Sequence, residues 1–201
     1  MKTATAAGRR PRAGHEKRRE ELVHAAFRMI ARNGFEGLRT RDIAAEAGVN
    51  VATLHYYFPT KESLIRGVLD YAMQRFRSTL TPNGSPADQL RNHLRAVRKL
   101  MADEPGLSSV MAELSLRSKR DPSVDSMLSA MTDAWVTTMR GLLRRAVREG
   151  GLRPELDSES VASLIITMQM GLTLPNISGS GISDQAVKQL ERWLGLAPSK
   201  R

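Results

Sequence analysis

The side chains of this sequence that could do chemistry are hydroxyl and aromatic groups gathered between Thr40 and Lys61, in the stretch TRDIAAEAGVNVATLHYYFPTK. We expect two short helices here, joined by a tight turn, with these groups on the outer side of the second helix. Two helices joined by a glycine-containing turn of about three to four residues form a helix-turn-helix unit, whose second helix presents its N-terminal residues to base edges in the major groove. The chemistry predicted for this stretch is therefore hydrogen bonding to DNA.

Local signals in the same stretch place the two helices. Thr40 is a natural N-cap for the first helix, and Gly48 ends that helix where the backbone needs a positive φ angle. Asn50 is positioned to cap the second helix, which we expect from Val51 to Tyr57. The residues expected to pack inward, judged by helical spacing, are Ile43, Ala44 and Ala47 on the first helix and Leu54 and Phe58 around the second.

The segment GVNVATLHYYFPTK, from Gly48 to Lys61, resembles the signature of the TetR family of transcriptional regulators. The preceding helix, ending in NGF at 33–35, matches the same pattern, and the motif resemblance covers about residues 17 to 65. A later segment, REGGLRP at 148–154, is also similar to the family. One departure is His55, where the family most often has tyrosine. Both side chains can donate a hydrogen bond to a phosphate, and histidine adds sensitivity to pH.

The resemblance implies roles for individual side chains. It places base contacts at Arg41, Val51, Ala52, Thr53 and Tyr56, and phosphate contacts at Thr40, His55, Tyr57 and Lys61. Arg41 could bind guanine through two hydrogen bonds. The small apolar groups of Val51, Ala52 and Thr53 suit the methyl group of thymine. Phosphate contacts fix the register on DNA but carry little sequence information.

The composition excludes several classes of protein. Lysine and arginine number 31 against 21 acidic residues, and the net charge of +10 favours a polyanionic partner. There is no cysteine for a disulfide or a thiolate metal site, and no apolar run approaches the roughly 18 residues of a membrane-spanning helix. The four histidines lack the HExxH spacing, and GxSxG, P-loop and GxGxxG motifs are absent. We therefore expect a cytoplasmic protein that is not an enzyme and uses no metal or cofactor.

The N-terminal residues 1–15 are predicted to form a flexible basic arm before a first helix that begins near Lys17. Residues 1–19 hold seven basic side chains and one acid, so much of the net charge lies here. A disordered, solubilising tail fits the alanine-, glycine- and arginine-rich composition. An arm that orders in the minor groove when the next helix docks also fits, and both interpretations stay open.

The hydrophobic periodicity along the rest of the chain predicts an all-α fold of about nine helices without strands. Residues 16–60 would form a three-helix DNA-binding domain, and residues 61–201 a helical body for effector binding and dimerisation. An N-cap residue followed by proline, at 85–86 and 121–122, opens the fifth and seventh helices. A Gly/Ser linker at 178–183 precedes the ninth.

Dimerisation is expected because a single helix-turn-helix makes few base contacts, and two half-sites of a palindromic operator lie about 34–36 Å apart. In the family the last two helices build a four-helix interface, and the matching residues here are Leu164, Ile165, Met168, Leu172, Leu190, Trp193 and Leu194. These residues could instead fill the core of one chain. A terminal helix that follows a flexible linker and carries Trp193 favours the interface.

The family uses its central helices to hold a small-molecule effector. Six of the ten methionines fall in the fourth to seventh predicted helices. Flexible thioethers could line an adaptable pocket for a hydrophobic effector, or they could simply fill gaps in the core. The candidate pocket residues are His93, Leu107, Met111, Trp135 and Met139.

These features predict a homodimeric transcriptional regulator that binds a double-stranded DNA operator. We expect a repressor that a small, hydrophobic inducer releases from its operator. An activator of the same family is one alternative. A non-specific architectural DNA-binding protein is another, but it would explain the charge and not the long apolar body.

Overall fold

The computed structural model describes residues 10–174, 176–177 and 181–196; the arm residues 1–9 and the linker residues 178–180 lie outside this part of the chain. The described residues form nine helices and no strand, which confirms the predicted all-α fold. The helices are α1 (Arg10–Asn33), α2 (Thr40–Glu46), α3 (Val51–Tyr57), α4 (Lys61–Arg77), α5 (Pro86–Asp103), α6 (Pro105–Ser118), α7 (Pro122–Arg148), α8 (Ser158–Gly171) and α9 (Gly181–Leu194). The chain divides into two compact units, the first ending at Leu69 and the second beginning at Asp70. Since this division falls inside α4, that helix contributes to both units.

The first unit is held together by an apolar core between its short helices. α1 packs against α2, and α2 packs against α3. Buried core residues include Leu22, Ala26, Ile30, Ile43, Leu54 and Phe58. At the rim, Arg28 and Arg32 of α1 both pair with Glu46 of α2. The hydrogen bond from Arg28 is the main cause that lowers the pKa of the Glu46 carboxyl, with the charge of Arg32 adding to it.

The start of α4 is set by local hydrogen bonds and its packing by a glycine. The Thr60 hydroxyl accepts a hydrogen bond from the Ser63 backbone N–H at 3.1 Å, as expected of a cap. Gly67 lies where α4 passes close to its neighbours: a Cβ atom there would stand 3.0 Å from Val23 Cγ2 and 3.2 Å from Phe58 Cε1. Glycine therefore allows the close approach that seats the Phe58 ring in the core.

Three boundaries differ from the sequence prediction. α1 begins at Arg10 rather than near Lys17, because proline is tolerated in the first turn of a helix, where its missing N–H has no partner to lose. The assignment of Thr40 as an N-cap is wrong: Thr40 is itself helical, and Arg39 occupies the cap position without a side-chain cap hydrogen bond. α9 begins at Gly181, so the last residues of the predicted linker are helical. Gly48 follows the C-cap of α2 and has a φ of +66°, the positive angle predicted for the residue that ends this helix.

The second unit is organised around α7, which packs against α5, α6 and α8, while α9 packs against α5. α5 begins with a capping box, in which Ser85 and Asp88 each accept a hydrogen bond from the other's backbone N–H. At the start of α7, Asp121 accepts hydrogen bonds from the backbone N–H groups of Ser123 and Val124. Both predicted combinations of cap and proline are confirmed.

α9 is attached to α5 by arginine side chains. Arg95 donates two hydrogen bonds to Glu191, at 2.6 and 2.8 Å, and Arg98 donates one to Asp184 at 2.5 Å. The Glu191 side chain is only 6% exposed, so this bidentate pair is less screened by solvent than an ordinary surface pair. These contacts fix which side of α9 faces its own chain. Among the helices of the described residues, none is long and apolar enough to cross a bilayer.

Candidate nucleic-acid interface and ligand cavity

The residues predicted to contact DNA all lie at the surface of the first unit. The exposed ones are Arg41, Ala52, His55, Tyr56 and Lys61, and the half-buried ones are Thr40, Val51, Thr53 and Tyr57. Tyr56 projects furthest, with 72% of its surface exposed. Leu54 and Phe58 are buried on the inward side, as predicted. The outer side of α3 is therefore a polar and aromatic surface backed by an apolar one.

Asn50 holds the first turn of α3. Its Oδ1 accepts a hydrogen bond from the Thr53 backbone N–H at 2.7 Å and another from the Thr53 hydroxyl at 2.9 Å. The predicted N-cap is confirmed. Because the hydroxyl hydrogen is donated within the protein, Thr53 can offer DNA its oxygen lone pairs and its methyl group.

Three of the four side chains predicted to hold phosphate surround one small cleft. Thr40 of α2, His55 of α3 and Lys61 of α4 line it, and its free volume is about 30 Å³. Its floor is apolar, formed in part by Ile43 and Leu54. Hydroxyl, imidazole and ammonium groups can each donate a hydrogen bond to a phosphate oxygen. The fold thus brings together three donors that are separated by up to 21 residues in the chain.

A cluster of three rings joins the beginning of α1 to α3. The Tyr56 and Tyr57 rings meet edge to face, with centroids 5.2 Å apart. The His15 ring of α1 packs against Tyr57 at a tilt of 44°, with centroids 4.5 Å apart, and its centroid lies 6.0 Å from that of Tyr56. No local pattern in the sequence predicts the role of His15, since the contact spans about forty residues. The cluster places the basic beginning of α1 beside the side of α3 predicted to meet DNA.

The second unit contains a small cavity with uncharged walls. Its free volume is about 10 Å³, and the residues lining it are Met73, Phe76, Met131, Trp135, Gln169 and Met170. Of the predicted pocket residues, Trp135 lines this cavity. His93 lies behind Trp135, and the centroids of their two rings are 5.4 Å apart. Three others are buried in the core and do not line it: Leu107, Met111 and Met139.

A continuous hydrogen-bonded chain runs behind the cavity. Trp135 Nε1–H donates to Gln169 Oε1 at 3.0 Å, which turns the Gln169 amide nitrogen toward His93 Nε2, 2.9 Å away. Since an amide nitrogen only donates, His93 Nε2 accepts and the imidazole proton is on Nδ1. Nδ1 then donates to the Thr79 hydroxyl at 2.8 Å, and that hydroxyl donates to the Phe76 carbonyl at 2.6 Å. With His93 neutral, each polar side-chain atom of this hydrogen-bonded chain has at least one hydrogen-bond partner.

Burial determines the charge of His93. The side chain is fully buried, and removal from water lowers the pKa of His93 from 6.5 to about 4. His93 is therefore uncharged near neutral pH. The sequence prediction includes His93 as a polar contact in the pocket but does not include Gln169. The helical spacing of Gln169 after Ile165 and Ile166, both buried, could have shown that it faces inward.

The seven residues predicted for the dimer interface are divided between core and surface. Trp193 and Leu164 are 61% and 48% exposed, and Met168 is half-buried. The other four side chains are buried within their own chain: Ile165, Leu172, Leu190 and Leu194. The exposed set gains Ile182 of α9, which is 62% exposed and was not predicted.

The described residues contain no group of three or more histidine, cysteine or acidic side chains that could hold a metal ion.

Comparison with known proteins gives a consistent match for both units. The family described as "Bacterial regulatory proteins, tetR family" matches residues 22–68, and "Tetracyclin repressor-like, C-terminal domain" matches residues 80–173. The HTH-type transcriptional repressor KstR2 of Mycobacterium tuberculosis (strain ATCC 25618 / H37Rv) is 26% identical over 155 residues, covering 74% of this chain and 76% of the relative. The nucleoid occlusion factor SlmA of Photobacterium profundum is 28% identical over 161 residues, covering 76% and 82%. A TetR transcriptional regulator from Chloroflexus aurantiacus J-10-FL has a similar structure, with a TM-score of 0.77, 25% identity and coverage of 91% and 96%.

Proposed function

Because the chain belongs to the TetR family of bacterial regulatory proteins, we propose that it is a homodimeric repressor that a small, mainly apolar inducer releases from a palindromic operator. The family consists of transcriptional regulators, so DNA binding and the regulation of transcription follow from membership. We place the protein in the cytoplasm, where its operator would be.

The observation that carries the DNA-binding part is the outer side of α3. Tyr56 is exposed there, and Thr53 is held by the Asn50 cap. A capped helix presents its first turn in a fixed orientation, which direct readout of bases requires. The cleft formed by Thr40, His55 and Lys61 supports a phosphate contact beside it.

Exposed apolar groups on the last two helices support dimerisation. Leu164 on α8 and Ile182 and Trp193 on α9 are large apolar side chains exposed to solvent. Such residues are enriched at the cores of protein interfaces, and two identical surfaces would pair around a two-fold axis. That axis would match the symmetry of a palindromic operator.

Repression and induction are the finer parts of the proposal. The relative KstR2 is named a repressor, which supports repression over activation. The methionine-lined cavity supports an apolar inducer, since its walls carry no charge. An inducer acts if it binds more tightly to the conformation that does not fit the operator.

The recognition surface is tested with the double variant Thr53→Ala/Tyr56→Ala. We expect specific operator affinity to fall about 100-fold or more, since each base contact contributes about 1–3 kcal/mol of discrimination. Fluorescence anisotropy with labelled operator, in excess random DNA, measures the affinity, and light scattering checks that the dimer remains. Thr137→Ala, an exposed threonine on α7, is the matched control and should bind as the wild type does.

Two results would contradict the proposal. Wild-type affinity in the double variant would show that α3 does not read bases. Loss of operator preference in excess random DNA by the unmodified protein would favour the architectural alternative, whose binding is non-specific and strongly dependent on salt.

A further inference from the structure

The orientation of the Gln169 amide is determined by its hydrogen bonds to Trp135 and His93. Trp135 Nε1–H can only donate, so it requires the Gln169 oxygen, and the amide nitrogen then meets His93 Nε2. His93 is in turn held by Thr79. A side chain with three rotatable bonds is thereby fixed in one rotamer at the edge of the cavity.

The Gln169 amide nitrogen has a second hydrogen that it can donate to a ligand. An amide nitrogen carries two hydrogens, and His93 accepts one of them. Among the hydrogen bonds of the described residues, Gln169 donates no other. A molecule in the cavity with an acceptor oxygen beside Gln169 could take the second hydrogen without disturbing the chain behind it.

The remaining walls determine what else such a molecule can be. Gln169 is the polar residue among the six that line the cavity, and the other five are apolar or aromatic. No charged side chain lines it, so a buried carboxylate or ammonium group would lose its hydration without gaining an ion pair. The wall chemistry therefore selects against ions.

The cavity must enlarge to admit a ligand, and its walls are suited to that. The present free volume of about 10 Å³ is far below the roughly 300 Å³ or more of a typical ligand pocket. Three of the six lining residues, Met73, Met131 and Met170, are methionines, whose unbranched side chains change rotamer readily. Space can be made by moving thioethers while the Gln169 amide stays in place.

We propose that this cavity opens to bind an uncharged, mainly apolar molecule whose oxygen accepts a hydrogen bond from the Gln169 amide, with His93 as the positioning residue that orients that amide. The inference rests on the proposed function only in taking the bound molecule to be the inducer. The site and its chemistry stand on the geometry of the second unit.

Three bicyclic probes of similar size test the proposal on the full-length protein: naphthalene, 2-acetylnaphthalene and 2-naphthoate. Naphthalene has no hydrogen-bond acceptor, 2-acetylnaphthalene has a ketone oxygen, and 2-naphthoate has a negative charge. We expect the ketone to bind about five- to tenfold more tightly than naphthalene, as one buried hydrogen bond allows, and naphthoate to bind most weakly. Isothermal titration calorimetry at pH 7.5 gives the three dissociation constants.

Variants then assign the preference to its residues. Gln169→Leu should bind naphthalene and the ketone equally, and its affinity for naphthalene serves as the internal check that the cavity is intact. His93→Leu should reduce the ratio of the two affinities, while His93→Gln, which can still accept from Gln169 and donate to Thr79, should keep part of it. Gln74→Leu, at an exposed glutamine on α4, should behave as the wild type.

Several outcomes would overturn the inference: no binding of any probe, tightest binding of naphthoate, equal binding of ketone and naphthalene by the wild type, or a ketone preference that survives Gln169→Leu. Operator release is measured separately. A ketone that binds through Gln169 without releasing DNA would contradict the inducer role and leave the site intact. A compound that releases DNA equally from the wild type and from Gln169→Leu would contradict the proposed site and leave the inducer role intact.

Discussion

The outer side of α3, which we propose to face DNA, and the cavity lined by Trp135 differ in how far each is preformed for a ligand. The α3 surface is open, with Tyr56 in solvent and Asn50 already holding the first turn. The cavity has a free volume of only about 10 Å³, and the polar groups behind it are hydrogen-bonded to one another. A rigid charged polymer can be met by a preformed surface, whereas an empty apolar pocket would expose hydrophobic walls to water at a cost in free energy. In the proposed function, the chain would therefore bind DNA with a preformed surface and its inducer with a cavity that must first enlarge.

The largest expected effect is a pH-dependent loss of stability caused by His93, which lies behind the cavity of the second unit. Because the pKa of His93 falls from 6.5 in an unfolded chain to about 4 in the fold, only the unfolded state gains this proton as the pH drops from about 6.5 to about 4. Stability is therefore fully present above about pH 6.5 and declines toward pH 4, by up to about 3 kcal/mol from this residue. Urea unfolding at several pH values measures the decline.

His93→Gln provides the comparison, since glutamine does not titrate. Its stability should vary less between pH 6.5 and pH 4.5 than that of the wild type. The carboxylates with lowered pKa values, such as Asp121 and Asp157, have ordinary pKa values of 3.8 and lose their contribution mainly below this window. Identical pH profiles for the two proteins would show that His93 is not buried and neutral.

The next largest effect concerns the Asn50 N-cap, which holds the first turn of α3. Asn50→Ala removes the hydrogen bonds to Thr53 at the start of a helix of only seven residues. We expect a loss of about 1 kcal/mol in unfolding free energy, together with weaker operator binding because the first turn frays. Chemical unfolding and anisotropy measure the two quantities.

Two substitutions bracket this prediction. Asn50→Asp keeps an acceptor at the cap and should retain most of the stability. Asn92→Ala, at an exposed position of α5, should leave both quantities unchanged within about 0.5 kcal/mol. An Asn50→Ala protein as stable as the wild type would mean that α3 is held by packing and not by its cap.

The smallest effect concerns the ring cluster that connects α1 to α3. His15→Ala removes the ring that packs against Tyr57, and we expect operator affinity to fall about two- to fivefold as the Tyr56 and Tyr57 side chains become more mobile. His15→Phe keeps a ring and should keep most of the affinity, as measured by anisotropy at constant salt. Equal losses in both variants would indicate that the imidazole itself contacts DNA.

Residues close together in the chain could be assigned well from the sequence, and distant ones could not. Asn50 and Gly48 act through neighbours within a few residues, so their roles follow from side-chain chemistry and backbone geometry. The prediction that Thr40 is an N-cap is wrong. Threonine suits a cap, but α2 begins at Thr40 itself, one position earlier than an N-cap at Thr40 would require. His93 was noticed for its type, while its partners Gln169 and Thr79 lie 76 and 14 residues away and carry no local sign of the contact.

The sequence by itself determined the all-α architecture, the helix-turn-helix and the family, because helical periodicity, caps and a contiguous motif are written within short stretches. Only the tertiary structure decided which apolar residues of α8 and α9 fill the core and which, such as Trp193, remain outside. It also decided that His15 meets Tyr57 and that Gln169 is held beside a cavity. The physical reason is that packing and buried hydrogen bonds join residues from several helices, and helical period alone does not specify which faces meet.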